Sequence, residues 1–282
     1  MFTMRVKNDL NDELTLTGNR NFTLLDVEGL NPPQSNISTS KVTNFDGAKI
    51  NSCSLEVRNI VITVLPEYPV EKNRLEIYKL FRVKHNVTLY FKNGSRNVEI
   101  EGKVESCNVN HFSSKQEMQI SIICPKSYFI DLNDLIINFS STIKAFTFPV
   151  AFVDVGIPFS YINRTNEYSI INDGDCECGL NIECEFIGDV VELKIYNSLT
   201  LDYIQLNYEF HAGDILRINT NKGEKSIILI RNGDEINLIN AFDKTSKWLQ
   251  LPIGVCKFTY NCVYGTNNVL MTLKSNVLYL GV

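Results

Sequence analysis

The sequence of 282 residues has no excess of positive charge: 27 Lys and Arg stand against 32 Asp and Glu, a formal net charge of −5. Proteins that hold nucleic acid through its phosphates carry a basic surplus, so the composition argues against that class. Proline and glycine are scarce, at 8 and 15 residues, which excludes Pro- or Gly-rich low-complexity linkers. No apolar run approaches the roughly 18 to 20 residues that cross a bilayer. The longest, such as 60–65 and 148–153, are strand-sized. Residues 1–10 have no apolar core of the kind a secretory signal needs. We therefore expect synthesis and folding in a reducing cytoplasm, with no membrane involved. Eight cysteines are too few for a disulfide scaffold in a chain of this length.

Signatures of catalysis are also missing. His85, His111 and His211 are scattered, and no Gly-x-Ser-x-Gly, His-Glu-x-x-His or Gly-x4-Gly-Lys-Ser/Thr pattern occurs. Asp173-Gly174-Asp175 lacks the later bidentate Glu of a calcium loop, Glu177 being too close, and reads as a polar turn. Cys176, Cys178 and Cys184, with Cys256 and Cys262 downstream, invite a zinc reading, but thiolate sites favour Cys pairs on turns. The even spacing instead puts the first three on a strand face with Leu180, Ile182 and Phe186, and the last two with Phe258 and Tyr260. There they pack as small hydrophobes. Glu183 and Glu185 share the opposite, solvated face, and Trp248 reads as a core aromatic rather than a sugar platform. We expect no enzyme, no cofactor and no metal.

What is present is a period of two. Ile204, Leu206, Tyr208 and Phe210 alternate with polar residues, as do Val269, Met271 and Leu273, the signature of half-buried strands. Residues 55–65 and 98–107 read as long strands, 87–91 and 118–124 as shorter ones. Turn signals divide them at Asp46-Gly47, Asn93-Gly94, Asn221-Lys222-Gly223 and Asn232-Gly233-Asp234, the last predicting a hairpin. One segment breaks the pattern: over 69–82, Leu75, Tyr78 and Phe81 recur at helical spacing behind a starting Pro, which predicts an amphipathic helix. Residues 127–141 lack clean alternation, so the domain junction is expected near residue 140. The remainder holds about ten strand candidates at sandwich-like spacing.

Together these residues resemble the siphovirus-type phage distal tail proteins. In the first half the likeness lies in Gly29-Leu30-Asn31-Pro32-Pro33, Asp46-Gly47-Ala48, Arg58-Asn59-Ile60, the helix with Tyr78 and Phe81, Cys124-Pro125 and Tyr128-Phe129. In the second it lies in Asn172-Asp173-Gly174-Asp175, Cys178-Gly179-Leu180, Gly213-Asp214, Trp248 through Gly254, and Tyr279-Leu280-Gly281-Val282. Their order along nearly the whole chain carries the resemblance, and we take Gly29, Pro32, Pro33, Asp46, Gly47, Arg58, Tyr78, Phe81, Cys124, Pro125, Gly213, Asp214, Trp248 and Gly254 as its structural positions.

The resemblance implies a mainly β protein of two domains. Residues 1–140 would form a ring-forming, tail-tube-like β domain with one packed helix, and residues 141–282 a galectin-like β-sandwich. It implies a non-enzymatic adaptor at the virion tail tip, assembled in the host bacterial cytoplasm. Its partners would be itself in a homo-hexameric ring, the tail tube protein, the tail-tip hub protein and receptor-binding or other baseplate proteins, with DNA only in transit through the lumen. The alternative is a lectin-like sandwich that recognises host cell-surface glycans. Against it, the sequence lacks the His-x-Asn-x-Arg set that galectins use beside a downstream Trp, and its length leaves no room for an inserted sugar-binding module.

Overall fold

The computed structural model describes residues 2–41, 43, 46–113, 115–144, 160–164 and 167–282, with the backbone alone for 140–144 and 160–164. The apolar run 148–153 lies outside the described residues. The chain divides into two compact units: unit 1 is Met1–Asn133 with Leu278–Val282, and unit 2 is Asp134–Val277. Among the described residues the regular structure is strand throughout, except for one α-helix and two short 3-10 turns.

Unit 1 opens with β1 (Thr3–Asn8), β2 (Glu13–Thr15) and β3 (Phe22–Glu28), followed by β4 (Ser35–Ser40) and β5 (Lys49–Leu55). Then come β6 (Arg58–Pro66), the helix α1 (Val70–Leu80), β7 (Asn86–Asn93), β8 (Arg96–Val109) and β9 (Met118–Cys124). β10 (Phe129–Asn138) leads out of it. The antiparallel order is β2-β1-β7-β8-β9-β6-β3. Strict alternation buries one face: Ile60, Ile62 and Val64 of β6, Leu89 and Phe91 of β7, and Ile120 and Ile122 of β9 are all essentially inaccessible. β8 is long enough to pair with β7 over its first half and with β9 over its second, bulging at Glu105 where the register shifts.

Two expectations are corrected here. The strand predicted over 55–65 is two strands, because β5 pairs only with β4 while β6 starts at Arg58 and joins the main sheet. The helix forms over Val70–Leu80, but its buried face is Asn73, Ile77 and Leu80, whereas Leu75 is 49% exposed. Asn73 misled the pattern: it is polar yet 2% exposed, and its amide donates to the main-chain oxygens of Asn21 (3.2 Å) and Glu67 (2.9 Å). Phe81 is buried as the residue that caps the helix, and Tyr78 is half-buried.

Unit 2 contains β11 (Ser140–Lys144), β12 (Ser160–Arg164), β13 (Glu167–Asn172), β14 (Cys178–Gly179), β15 (Asn181–Phe186) and β16 (Val190–Asn197). It continues with β17 (Tyr203–Phe210), β18 (Ile215–Asn219), β19 (Ser226–Arg231), β20 (Asp234–Asn237), β21 (Gln250–Leu251), β22 (Gly254–Tyr264) and β23 (Val269–Tyr279). One sheet runs β23-β15-β18-β19-β20 and the other β13-β22-β16-β17, giving a β-sandwich. Phe186 of the first stacks on Phe210 of the second with ring centroids 4.3 Å apart and planes within 5°. The hydroxyl of Tyr260 donates to the main-chain oxygen of Val269 at 3.3 Å, a second tie between the sheets. The β19–β20 turn is made by Asn232 and Gly233, both with positive φ (54° and 91°), the backbone that a two-residue hairpin requires.

Candidate functional site

A buried set of side-chain to main-chain hydrogen bonds in unit 1 surrounds Arg58, the first residue of β6. Its side chain is buried, at 3% exposure, and all three nitrogens of the guanidinium donate to main-chain oxygens, through four bonds in all. Nε donates to Ser127 (3.0 Å), Nη1 to Asn31 (2.8 Å) and to Gly29, and Nη2 to Leu280 (2.7 Å). The Phe129 ring lies 4.4 Å from Cζ. Burial pulls the guanidinium below its ordinary pKa, opposed by the neighbouring Cys124 thiol. The same burial pushes Cys124 up to about 12, with Arg58 pulling the other way. Gly29 has φ +85°, and a Cβ there would lie 2.2 Å from the Asn59 oxygen, so no other residue fits.

Thus five separate pieces of the sequence resemblance meet at one side chain: the Gly29–Pro33 turn, Arg58, Cys124, Phe129 and the segment ending in Val282. The last is fixed further by Val282, whose N–H donates to the Leu30 oxygen at 3.1 Å, and by Arg96, which donates to the Gly281 oxygen and lies 4.4 Å over the Tyr279 ring. Sequence reasoning missed Arg96 and Ser127 in this cluster. Neither has a local signal, since their partners are main-chain oxygens brought in by the fold.

Between the Gly29–Pro33 turn and Arg58 the chain runs out and back as the β4–β5 ribbon. Its root is closed by Glu56 N–H to Gln34 oxygen (3.1 Å) and by the Ser127 hydroxyl, which donates to the Glu56 oxygen at 2.5 Å. From Ser35 to Ser54 its strand residues are exposed on both faces, including Ile37 at 50% and Ile50 at 62%. A two-stranded ribbon is marginal in water without something packed on it. Asp46 and Gly47 lie in the exposed connection between its strands, and Pro32 is also exposed, with Pro33 half-buried. Pro125 is exposed just past β9.

In unit 2 the predicted positions fall in separate places. Gly213 (φ +91°) and Asp214 turn the chain into β18, and the buried Asp214 carboxylate accepts two bonds from Arg231, at 2.9 and 2.6 Å. Gly254 (φ +93°) begins β22 opposite Asn172. Asn172 is fully buried and its amide donates to the oxygens of Cys176 (2.9 Å) and Leu251 (3.1 Å), stapling the turn that precedes β14. Cys178, Cys184, Cys256 and Cys262 are buried with their strand neighbours, but Cys176 lies in that turn, outside any strand and only partly buried. The expectation of a shared face therefore fails for Cys176, because Asn172 bends the chain before β14.

Trp248 is a second correction. It is half-buried rather than a core residue: Phe242 stacks on it at 4.9 Å, and the Lys225 ammonium lies 5.4 Å from its ring centroid. It anchors a strap along the edge strand β17, where Asp243 N–H donates to the Gln205 oxygen (3.0 Å) and Lys247 N–H to the Tyr203 oxygen (2.8 Å). The three histidines are dispersed, His85 on Asp9, His111 on Arg74 and His211 on Asp189. Among the described residues no three His, Cys, Asp or Glu side chains group as a metal site, and no helix is long and apolar enough to cross a membrane.

Residues 173–274 match the family described as siphovirus-type tail component, C-terminal domain. This is the family that the sequence resembles. Among solved structures, the chain is similar over 99% of its length, and 99% of the other chain, to the SPP1 phage Dit protein, at 15% identity and a TM-score of 0.65. It is also similar to a chain of the phage P2 baseplate in its activated conformation with calcium, over 98% of both chains, at 10% identity and a TM-score of 0.50. At these identities the likeness concerns the fold, and it spans both units. No curated protein sequence matches the chain.

Proposed function

We propose that this chain is a non-enzymatic adaptor of a phage tail tip, six copies closing a ring that joins the tail tube to the hub or baseplate. The observation that carries the reading is the fold shared over 99% of both chains with SPP1 Dit, a protein described as a paradigm of the hub adsorption apparatus in phages infecting Gram-positive hosts. The first domain, unit 1, forms the ring, and the second, unit 2, carries receptor-binding or other baseplate proteins. A closed ring has a heterologous interface, each subunit giving one surface and receiving another. The β4–β5 ribbon, bare on both faces, is a surface of the kind a neighbour covers. DNA passes in transit only, for which a net charge of −5 is suited, since a lumen must not hold phosphate. No enzymatic step and no membrane enter this role. The chain is made in the host cytoplasm and ends at the virion tail tip. A glycan-binding role is less well supported, because Phe242 already occupies one face of Trp248.

The test is the mass and shape of the purified full chain, alone and mixed with the tube and hub proteins. A hexamer that shows a six-fold ring with a central hole in negative stain is expected. A monomer under all these conditions overturns the ring.

A further inference from the structure

We propose that Leu278–Val282 is a latch that closes unit 1 at the root of the β4–β5 ribbon, so that a chain becomes competent to assemble only after its second unit has been made. The proposal rests on reading that ribbon as the ring-forming surface.

Three observations carry it. First, unit 1 is discontinuous: its last five residues arrive in the chain only after all of unit 2. Domains generally fold as they emerge, N-terminal part first. Unit 1 cannot finish in that order, because Arg58 and its Leu280 partner are 222 residues apart. Second, the Arg58 guanidinium divides its bonds between the two ends of the chain. Nε and Nη1 serve Ser127, Gly29 and Asn31, which are available early, whereas Nη2 has Leu280 as its acceptor. Until the segment docks, a cation destined for burial lacks a partner on one side, and the site favours water over closure.

Third, the docking point is the ribbon's root. The turn that receives Leu280–Val282 ends at Pro33, two residues before β4 starts, and Arg58 follows β5 by three. Val282 binds the Leu30 oxygen inside that turn. Gly281 approaches it so closely that a Cβ would lie 3.1 Å from the Leu30 oxygen and 3.2 Å from Pro32 Cδ. The segment therefore presses the chain entering β4 against the chain leaving β5. Closed, it fixes the ribbon's direction; open, it leaves the ribbon on an unanchored stem.

The test compares the wild-type full chain with Gly281→Val, which wedges the latch, and with Arg58→Lys, which keeps the charge but cannot fork. Amide hydrogen exchange is read at the ribbon root (residues 29–36 and 54–60) and at β22 in unit 2. Exchange at the root is expected to rise about tenfold or more in both variants while β22 keeps its wild-type protection. Unchanged root protection in Gly281→Val overturns the latch, as does loss of protection that is equal in both units. Native mass measured on the same samples should show the variants less assembled than wild type. If the wild type itself never assembles, the ring reading fails, while the exchange data still decide the latch.

Discussion

The guanidinium of Arg58 donates to the main-chain oxygen of Leu280 at 2.7 Å across 222 residues of sequence, within a cluster where four carbonyl oxygens from three chain segments share one cation. Hydrogen bonds to a charged group contribute about 1.5 to 3 kcal/mol each, more than neutral ones. Lysine at this position keeps the charge but offers a point donor in place of a planar fork. Arg58→Lys is expected to lower the stability of unit 1 by about 2 to 4 kcal/mol, measured as a fall in the urea midpoint. A shift equivalent to less than about 0.5 kcal/mol would mean that the carbonyls find other donors.

The helix gives a cleaner contrast. Ile77 is wholly inaccessible on the face of α1 that packs on β6, while Leu75 is half exposed. Ile77→Asp buries a charge without a partner and is expected to abolish soluble expression or to remove at least about 4 kcal/mol. Leu75→Asp should stay within about 0.5 kcal/mol of wild type. Equal thermal melting of the two variants would contradict the assigned face.

These two residues also show what a sequence carries and what it hides. The β19–β20 hairpin and β9 are legible because turn chemistry and alternation are local: Asn232-Gly233 needs only its own backbone, and Met118–Cys124 needs only a period of two. The helix is legible as a helix, but its face is not, because a polar Asn73 sits at the centre of the buried stripe and its acceptors lie on another segment. The Arg58 cluster is harder still. Its acceptors are main-chain oxygens, which every residue type possesses, so nothing in the identities of Asn31, Ser127 or Leu280 marks them. The resemblance to a family names several of these segments without indicating that they meet. Trp248 reads as a core aromatic from its apolar neighbours, yet it serves a strap on β17, a role set by which edge of a sheet is left open.

Thiol reactivity offers a probe of the ribbon. Cys53 lies exposed on β5, whereas Cys124, Cys178, Cys184 and Cys256 are buried. Burial pushes Cys107 and Cys262 up to about 11 and Cys124 to about 12, so near neutral pH these groups hold almost no thiolate, the reactive form. In the isolated chain Cys53 should react first with a chromogenic disulfide, and the buried thiols only after denaturant is added. In the assembled ring Cys53 should become slower by about tenfold or more as the neighbour covers the ribbon. An unchanged rate on assembly would place the subunit interface elsewhere.

Acid should weaken unit 2 through one carboxylate. Burial alone would raise the pKa of Asp214, but the paired bonds from Arg231, the His211 N–H (2.9 Å) and the nearby positive charge outweigh it, and the net shift is downward. A carboxyl whose folded pKa lies below its unfolded value of about 3.9 adds stability that is fully present above that value. The contribution is lost as pH falls through the folded pKa, because the unfolded chain then takes up the proton first. Asp214→Asn keeps the side chain's shape and removes its charge, and it should destabilise unit 2 by about 1.5 to 3 kcal/mol near neutral pH. Urea midpoints taken from about pH 6 down to about pH 2 should show wild type and variant converging in the acid range, because only the wild type has this charge to lose. If the gap between them instead stays constant with pH, Arg231 is held by the shape of residue 214 and not by its charge.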